Sequence, residues 1–405
     1  MISKIAHFVK NTLLIIGIFC IVIFSINYFQ SIQKSKARLA EADLILPESW
    51  DEPYKSQKIK DKYKIIILTT WGGEWTHATH LKASAERMGW EVKIYHQSLS
   101  SYEDEILKFN PDFIIYASDI DHRIHPEVKN LKTKFYGIYY YPIDYNITRS
   151  FNDEILLDKD LKPENGLLEM FNLADGMLIN NKRIKIFETI FNDRHRKFYG
   201  INIIPTVSKA DYKPLNFNYV TEYGHHTADL KTKKSLQYVL KKLDKDKILK
   251  TYGKFKDYSY IPHSYKGYVP DTFQMIDLLN KNGVALVFHS KFNYDGGTPT
   301  TRLLEAFAAS ALVITDRNPF TVRNFGDNVL YFDTYAESEI LYRQIKDHYD
   351  WAQNHPEEAR AKASRAHDIF IEKFTTEIQL IRIAKLHEKI LDDEKAMNLE
   401  FPFKP

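Results

Sequence analysis

A single cysteine, Cys20, stands among 405 residues, so no disulfide can close within the chain and a thiolate zinc centre is excluded. That scarcity fits a reducing compartment. Excess charge is also lacking: 56 lysines and arginines meet 53 acidic residues, leaving +3, and no long basic block stands out. This excludes the electrostatic footprint of a nucleic-acid binder. No short repeat is present, and no GxGxxG follows the first strand-like run, which argues against a dinucleotide oxidoreductase. One long stretch without charge is present, "NTLLIIGIFCIVIFSINYFQSIQ" over 11–33. Its apolar centre of about 18 residues reaches roughly 27 Å as a helix, enough to cross a bilayer. Tyr28, Phe29 and Gln30 follow instead of the small residues of a cleavage site. The expectation is therefore a short tail over 1–10 and an uncleaved transmembrane anchor over 11–33. Lys34, Lys36 and Arg38 after it against Lys4 and Lys10 before it place the body in the cytoplasm, as a single-pass membrane protein.

Residues 34–62 are polar, carry Pro47 and Pro53, and read as a stalk. Beyond them short β-branched and aromatic runs recur: 63–70, 91–96, 112–118, 134–141 and 176–181. Helical patterns lie between several of them, among them 76–90 with Gly89 near its end. Such alternation predicts a parallel sheet covered on both faces. It pauses over 201–215, where two prolines mark an interdomain linker, and resumes with runs at 218–224, 247–253, 283–290, 311–316 and 328–333. Helices are expected near 233–243 and 270–280. The chain thus divides into a Rossmann-like domain over 63–210, a second over 211–370 and a helical tail over 371–405. An α/β protein with two Rossmann-like domains facing across a cleft is the expected fold.

In open parallel sheets ligands sit beyond the carboxyl ends of the strands, where helix N-termini present free amides. "DGGTPTTRLLEAFAASALVITDRNPF", over 295–320, has that position. A helix starting near Thr298 or Pro299 suits proline in the first turn, while Gly296 and Gly297 allow close approach to the backbone. Exposed amides, the hydroxyls of Thr298, Thr300 and Thr301, and the positive helix end together suit a diphosphate. Glu305 lies in an otherwise apolar helix. A buried carboxylate needs partners, either a ribose hydroxyl pair or, as the bland alternative, Arg302 three residues earlier.

The segment "GTPTTRLLEAFAASALVITDRNPF" resembles the donor-site helix and following strand of GT-B glycosyltransferases, the large retaining group and its spore-protein-like relatives. "YKGYVP" at 265–270 resembles the strand and turn leading to the preceding helix, and "IIPTVSKADYKPL" the linker. The resemblance implies a nucleotide-sugar donor as co-substrate, with no further cofactor. Glu305 would then bind the ribose, the amides around Gly297 to Thr301 the diphosphate, and Asp316 to Pro319 would border the pocket. Lys291 is favoured as the diphosphate cation over Lys233, Lys234 and Lys254. Two positions depart from the family pattern. Gly297 stands eight residues before Glu305, where a sugar-contacting glutamate is usual, and Ser310 stands where a glycine is usual.

The first domain is left to bind a glycan or lipid-linked acceptor. Gly72 and Gly73 follow its first strand, and His77 and His80 share one helix face. His77 is the general-base candidate of an inverting reaction, because imidazole titrates near neutral pH, while a solvated or capping histidine pair is the alternative. Asp144 in "YYYPIDYN" ends another strand and is the second catalytic candidate, a plain turn being the alternative. Two further readings stay open. Asp119 and Asp121 form a DxD pair that a metal-dependent transferase could use, although the same spacing recurs at Asp158 with Asp160 and Asp244 with Asp246. A noncatalytic nucleotide-sugar-binding module is the other. Metal-independent, membrane-anchored glycosyl transfer is the leading expectation.

Overall fold

A computed structural model of the chain describes residues 54–69, 73–96, 103–117, 133–139, 174–179, 197–223, 230–254, 258–290, 293–294 and 297–396, and within 16–34 all but 18, 21, 24 and 28. Two parallel sheets organise them. The first is built from β1 (Lys64–Thr69), β2 (Glu91–His96), β3 (Phe113–Ala117), β4 (Lys134–Tyr139), β5 (Gly176–Ile179) and β6 (Gly200–Asn202), in the order β2-β1-β3-β4-β5-β6. The second holds β7 (Tyr219–Tyr223), β8 (Leu249–Tyr252), β9 (Gly283–Val287), β10 (Leu312–Asp316) and β11 (Leu330–Phe332), in the order β11-β10-β9-β7-β8. Every pairing is parallel. In both sheets the strand order reverses beside the first strand, between β1 and β3 and between β7 and β9. A crevice opens at the carboxyl ends of the strands at such a reversal.

Ten of these strands coincide with the expected runs. β6 lies in the stretch read as linker, because three residues are too short to display a period. It nevertheless pairs with β5 through Met177 and Gly200, and the linker begins only after it. The helices are α1 (Gly73–Arg87), α2 (Glu103–Phe109), α3 (Leu230–Lys245), α4 (Thr272–Asn282), α5 (Thr301–Ala308), α6 (Pro319–Phe325), α7 (Ser338–Asn354), α8 (Pro356–Lys373) and α9 (Thr376–Ala396).

The second sheet is apolar on both faces, as a parallel sheet covered by helices must be. Val284 and Leu286 of β9 enter one core with Leu240 and Ile345, from α3 and α7. Ala285 and Val287 enter the opposite core with Leu279 of α4, Phe307 of α5 and Phe370 of α8. The last helix crosses back to the first sheet. Leu380, Ile383, Leu386 and Ile390 of α9 join Ile65, Phe113 and Tyr136 in one core, and Tyr136 Oη lies 2.8 Å from His387 Nδ1.

The membrane expectation is corrected. Among the described residues no helix is long and apolar enough to cross a membrane, so neither the anchor over 11–33 nor the single-pass membrane placement stands. Of the described helical residues in 16–34, Ser25, Asn27, Gln30, Ser31, Gln33 and Lys34 are polar and shorten the apolar stretch at its C-terminal end. Ile32 instead packs against the core of the second sheet. Residues 1–15 lie outside the described residues.

Candidate donor site

The helix after β9 starts later than the sequence predicts. Thr300 is its N-cap, with φ −89° and ψ 154°, and its hydroxyl accepts from the Leu303 amide at 3.4 Å. Pro299 therefore precedes the cap. Threonine competes well for the N-cap, and proline drives the residue before it out of helical geometry. Thr301 and Arg302 open the first turn, and their amides have no intrahelical acceptors. Thr298 and Thr300 are buried. Asn318, the N-cap of α6, holds the preceding loop by donating to the Asn293 carbonyl at 2.9 Å and the Thr298 carbonyl at 3.0 Å. Asn293 and Thr298 are thus tied to the start of α6.

Two departures from the family pattern acquire a backbone explanation. Gly297 has φ +61° and Ser310 φ +52°. Both are left-handed conformations that favour glycine. A glutamate at 297 would be strained in this loop, whereas Ser310 occupies a position where glycine is intrinsically better.

Glu305 is buried one turn into α5, at 5 % exposure. Its partner is not Arg302, which donates to the Tyr223 carbonyl at 3.0 Å. Instead Tyr223, at the carboxyl end of β7, donates its hydroxyl to Oε2, and Thr272, the first residue of α4, donates to Oε1. Burial raises the Glu305 pKa, while the two hydroxyls and the nearby Arg302 charge pull it down. A carboxylate offers about four acceptor positions. Two are filled here, which leaves capacity for a pair of ligand hydroxyls. Sequence reasoning missed Tyr223 and Thr272, because the contacts span 82 and 33 residues.

Asp316 ends β10 fully buried and spends both oxygens on His289, accepting from its backbone amide at 2.8 Å and from Nδ1 at 2.9 Å. Nδ1 therefore carries a proton, and among the described residues Nε2 has no hydrogen-bond partner. His289 follows β9, between the ends of β7 and β10 in the strand order. The sequence signal was a histidine just past an apolar strand, level with the aspartate of its neighbour.

The two helix histidines are buried among the described residues. His77 is buried, its pKa lowered to about 4 by desolvation against a hydrogen bond to the Thr206 backbone. His80 is fully buried, its pKa lowered to about 3 by desolvation and the neighbouring His77 and Arg87 charges. It sits 3.3 Å from Thr272 Oγ1 through Nε2, so it reaches the donor side. Gly73 starts α1 at the carboxyl end of β1. Gly72, Asp119, Asp121, Asp144, Asp158, Asp160, Lys291 and Gly296 lie outside the described residues. Asp244 and Asp246 are described and hold separate structural contacts, with Ser264 and Tyr342 respectively.

Residues 233–384, which carry the whole of this site except Tyr223, match the family model described as glycosyl transferase-like. About four fifths of the chain superposes on solved glycosyltransferase structures. An alpha-glucosyltransferase solved with UDP and a mismatched 13-mer DNA aligns with a TM-score of 0.54 at 11% identity, over 80% of this chain and 99% of that one. The chain carries a glycosyl transferase-like domain on a GT-B fold. Sucrose-phosphate synthase from Thermosynechococcus elongatus aligns with this glycosyltransferase at a TM-score of 0.52 and 9% identity, over 82% of its chain and 100% of the other. A glycosyltransferase from Rickettsia africae ESF-5 gives 0.51 and 13%, over 82% and 100%. No curated protein matches the enzyme in sequence. At these identities the superpositions establish its fold and leave its substrates to be argued from its own residues.

Proposed function

We propose that the enzyme moves a sugar from a nucleoside-diphosphate sugar, held at the carboxyl edge of the second sheet, to a glycan acceptor held by the first. The observation that carries this is Glu305, a buried carboxylate at the β7/β9 reversal with two hydroxyl donors in place and acceptor capacity for two more. Ribose offers that hydroxyl pair. The amides of Thr301 and Arg302, the close backbone approach at Gly297, and Lys291 are assigned to the diphosphate. Asp316 is assigned to orienting His289. A uridine nucleotide is the first donor to test, since the superposable alpha-glucosyltransferase was solved with UDP.

Catalysis rests on holding both substrates together and stabilising the departing diphosphate as the glycosidic bond breaks. On the acceptor side the assignment keeps Gly72, Gly73 and Asp144. The buried, neutral His77, bonded to the Thr206 backbone, is assigned to supporting the linker. No step in this scheme draws on a metal, so donor turnover should persist in excess chelator. Loss of turnover that added divalent metal restores would favour the scheme using Asp119 and Asp121.

A further inference from the structure

The donor carboxylate is held from both halves of the molecule. Glu305 and Tyr223 belong to the second sheet and its helices, and so does Thr272. His80 belongs to α1, which packs on the first sheet. The direction of each hydrogen bond can be worked out. The Ser208 backbone amide lies 3.2 Å from His80 Nδ1; an amide can only donate, so Nδ1 is the bare nitrogen. The neutral ring then carries its proton on Nε2 and donates to Thr272 Oγ1 at 3.3 Å. A threonine hydroxyl has one proton. With its oxygen accepting from His80, that proton goes to Glu305 Oε1. Ser208, the acceptor-side anchor of the chain, sits in the linker and is held a second time by Ser84, one turn along α1, at 2.9 Å.

We propose that His80 is a positioning residue for the donor carboxylate, acting through Thr272, so that the donor site reaches its binding geometry only when α1 of the first half is seated against α4. The inference rests on Glu305 binding the donor. Its consequence is that relative movement of the two halves and donor affinity are linked: opening at this contact frees the Thr272 hydroxyl to rotate away and leaves Glu305 with Tyr223 alone. Burial supports the device. His80 is fully enclosed and Phe273, next to Thr272, lies tilted against its ring with centroids 4.6 Å apart, so water is a poor substitute for the lost bond.

The test is donor kinetics and binding on the full chain, with UDP-sugars as the probe, for His80→Leu, His80→Gln, Thr272→Val and the His80→Leu/Thr272→Val pair. Loss of one oriented hydrogen bond should raise the donor KM about fivefold in His80→Leu and in Thr272→Val, with kcat changed much less. The pair should be no worse than Thr272→Val alone, because both act through one bond. His80→Gln, whose amide can still donate to Thr272, should recover most of the affinity. Multiplying effects in the pair, or a wild-type KM in folded His80→Leu, would overturn the proposal. If Glu305→Ala itself bound the donor as tightly as wild type, the failure would belong to the donor-site assignment.

Discussion

At Glu305 burial and hydrogen bonding act in opposite directions: desolvation favours the neutral acid, while Tyr223, Thr272 and Arg302 favour the carboxylate. The sequence made the residue itself legible, since an acid in an apolar helix demands partners. Its partners were not legible, because a tyrosine at a strand end and a threonine at a helix start look like ordinary punctuation until the chain folds. Ser310 is the reverse case, where the departure from pattern was visible and its meaning was not. Its φ of +52° and its buried hydroxyl, without a partner among the described residues, both cost stability. Ser310→Gly should relieve both against a smaller entropic loss, a net gain of about 1 kcal/mol, and raise the thermal midpoint by about 2–4 °C. An unchanged or lower midpoint in a thermal melt would show that the strain is absorbed elsewhere.

Among the elements, the ten expected strands were readable because buried parallel strands are continuous β-branched and aromatic runs. Three features were not. β6 is too short to carry a period, the start of α5 was decided by Thr300 taking the cap beyond the expected start near Thr298 or Pro299, and the partner of the last helix depends on tertiary packing alone. That helix, α9, completes the core of the first sheet although it follows the second in sequence. Leu386 is fully buried there among residues of the first half. Leu386→Ala should cost about 2–4 kcal/mol, read as a lower urea midpoint, and the loss should appear in the first half. Finding it confined to the second half would contradict the assignment of α9.

For the whole molecule, three buried histidines make stability depend on acid. His77, His80 and His387 have pKa values lowered to about 4, 3 and 4, mainly by desolvation. The unfolded chain takes up protons from about pH 6.5 downward, whereas the folded chain does not until nearer pH 4. Their contribution is therefore complete above pH 6.5 and declines as the pH falls through 6.5 towards 4, by up to about 1.4 kcal/mol per pH unit for each. Urea midpoints at pH 7.5, 6.5 and 5.5 should fall in that order, and His387→Gln should flatten the decline. A midpoint that stays level to pH 5.5 would mean that these rings are accessible to protons in the folded state.

The scale of the whole is also where the catalytic account is decided, since two sheets in GT-B arrangement serve many donors and only the site selects one. Titration calorimetry of UDP-sugars into wild type and Glu305→Ala tests it most directly. Wild type should bind at least one of them and the variant should lose at least tenfold in affinity. Equal affinity in the two proteins would contradict the placement of the donor at Glu305.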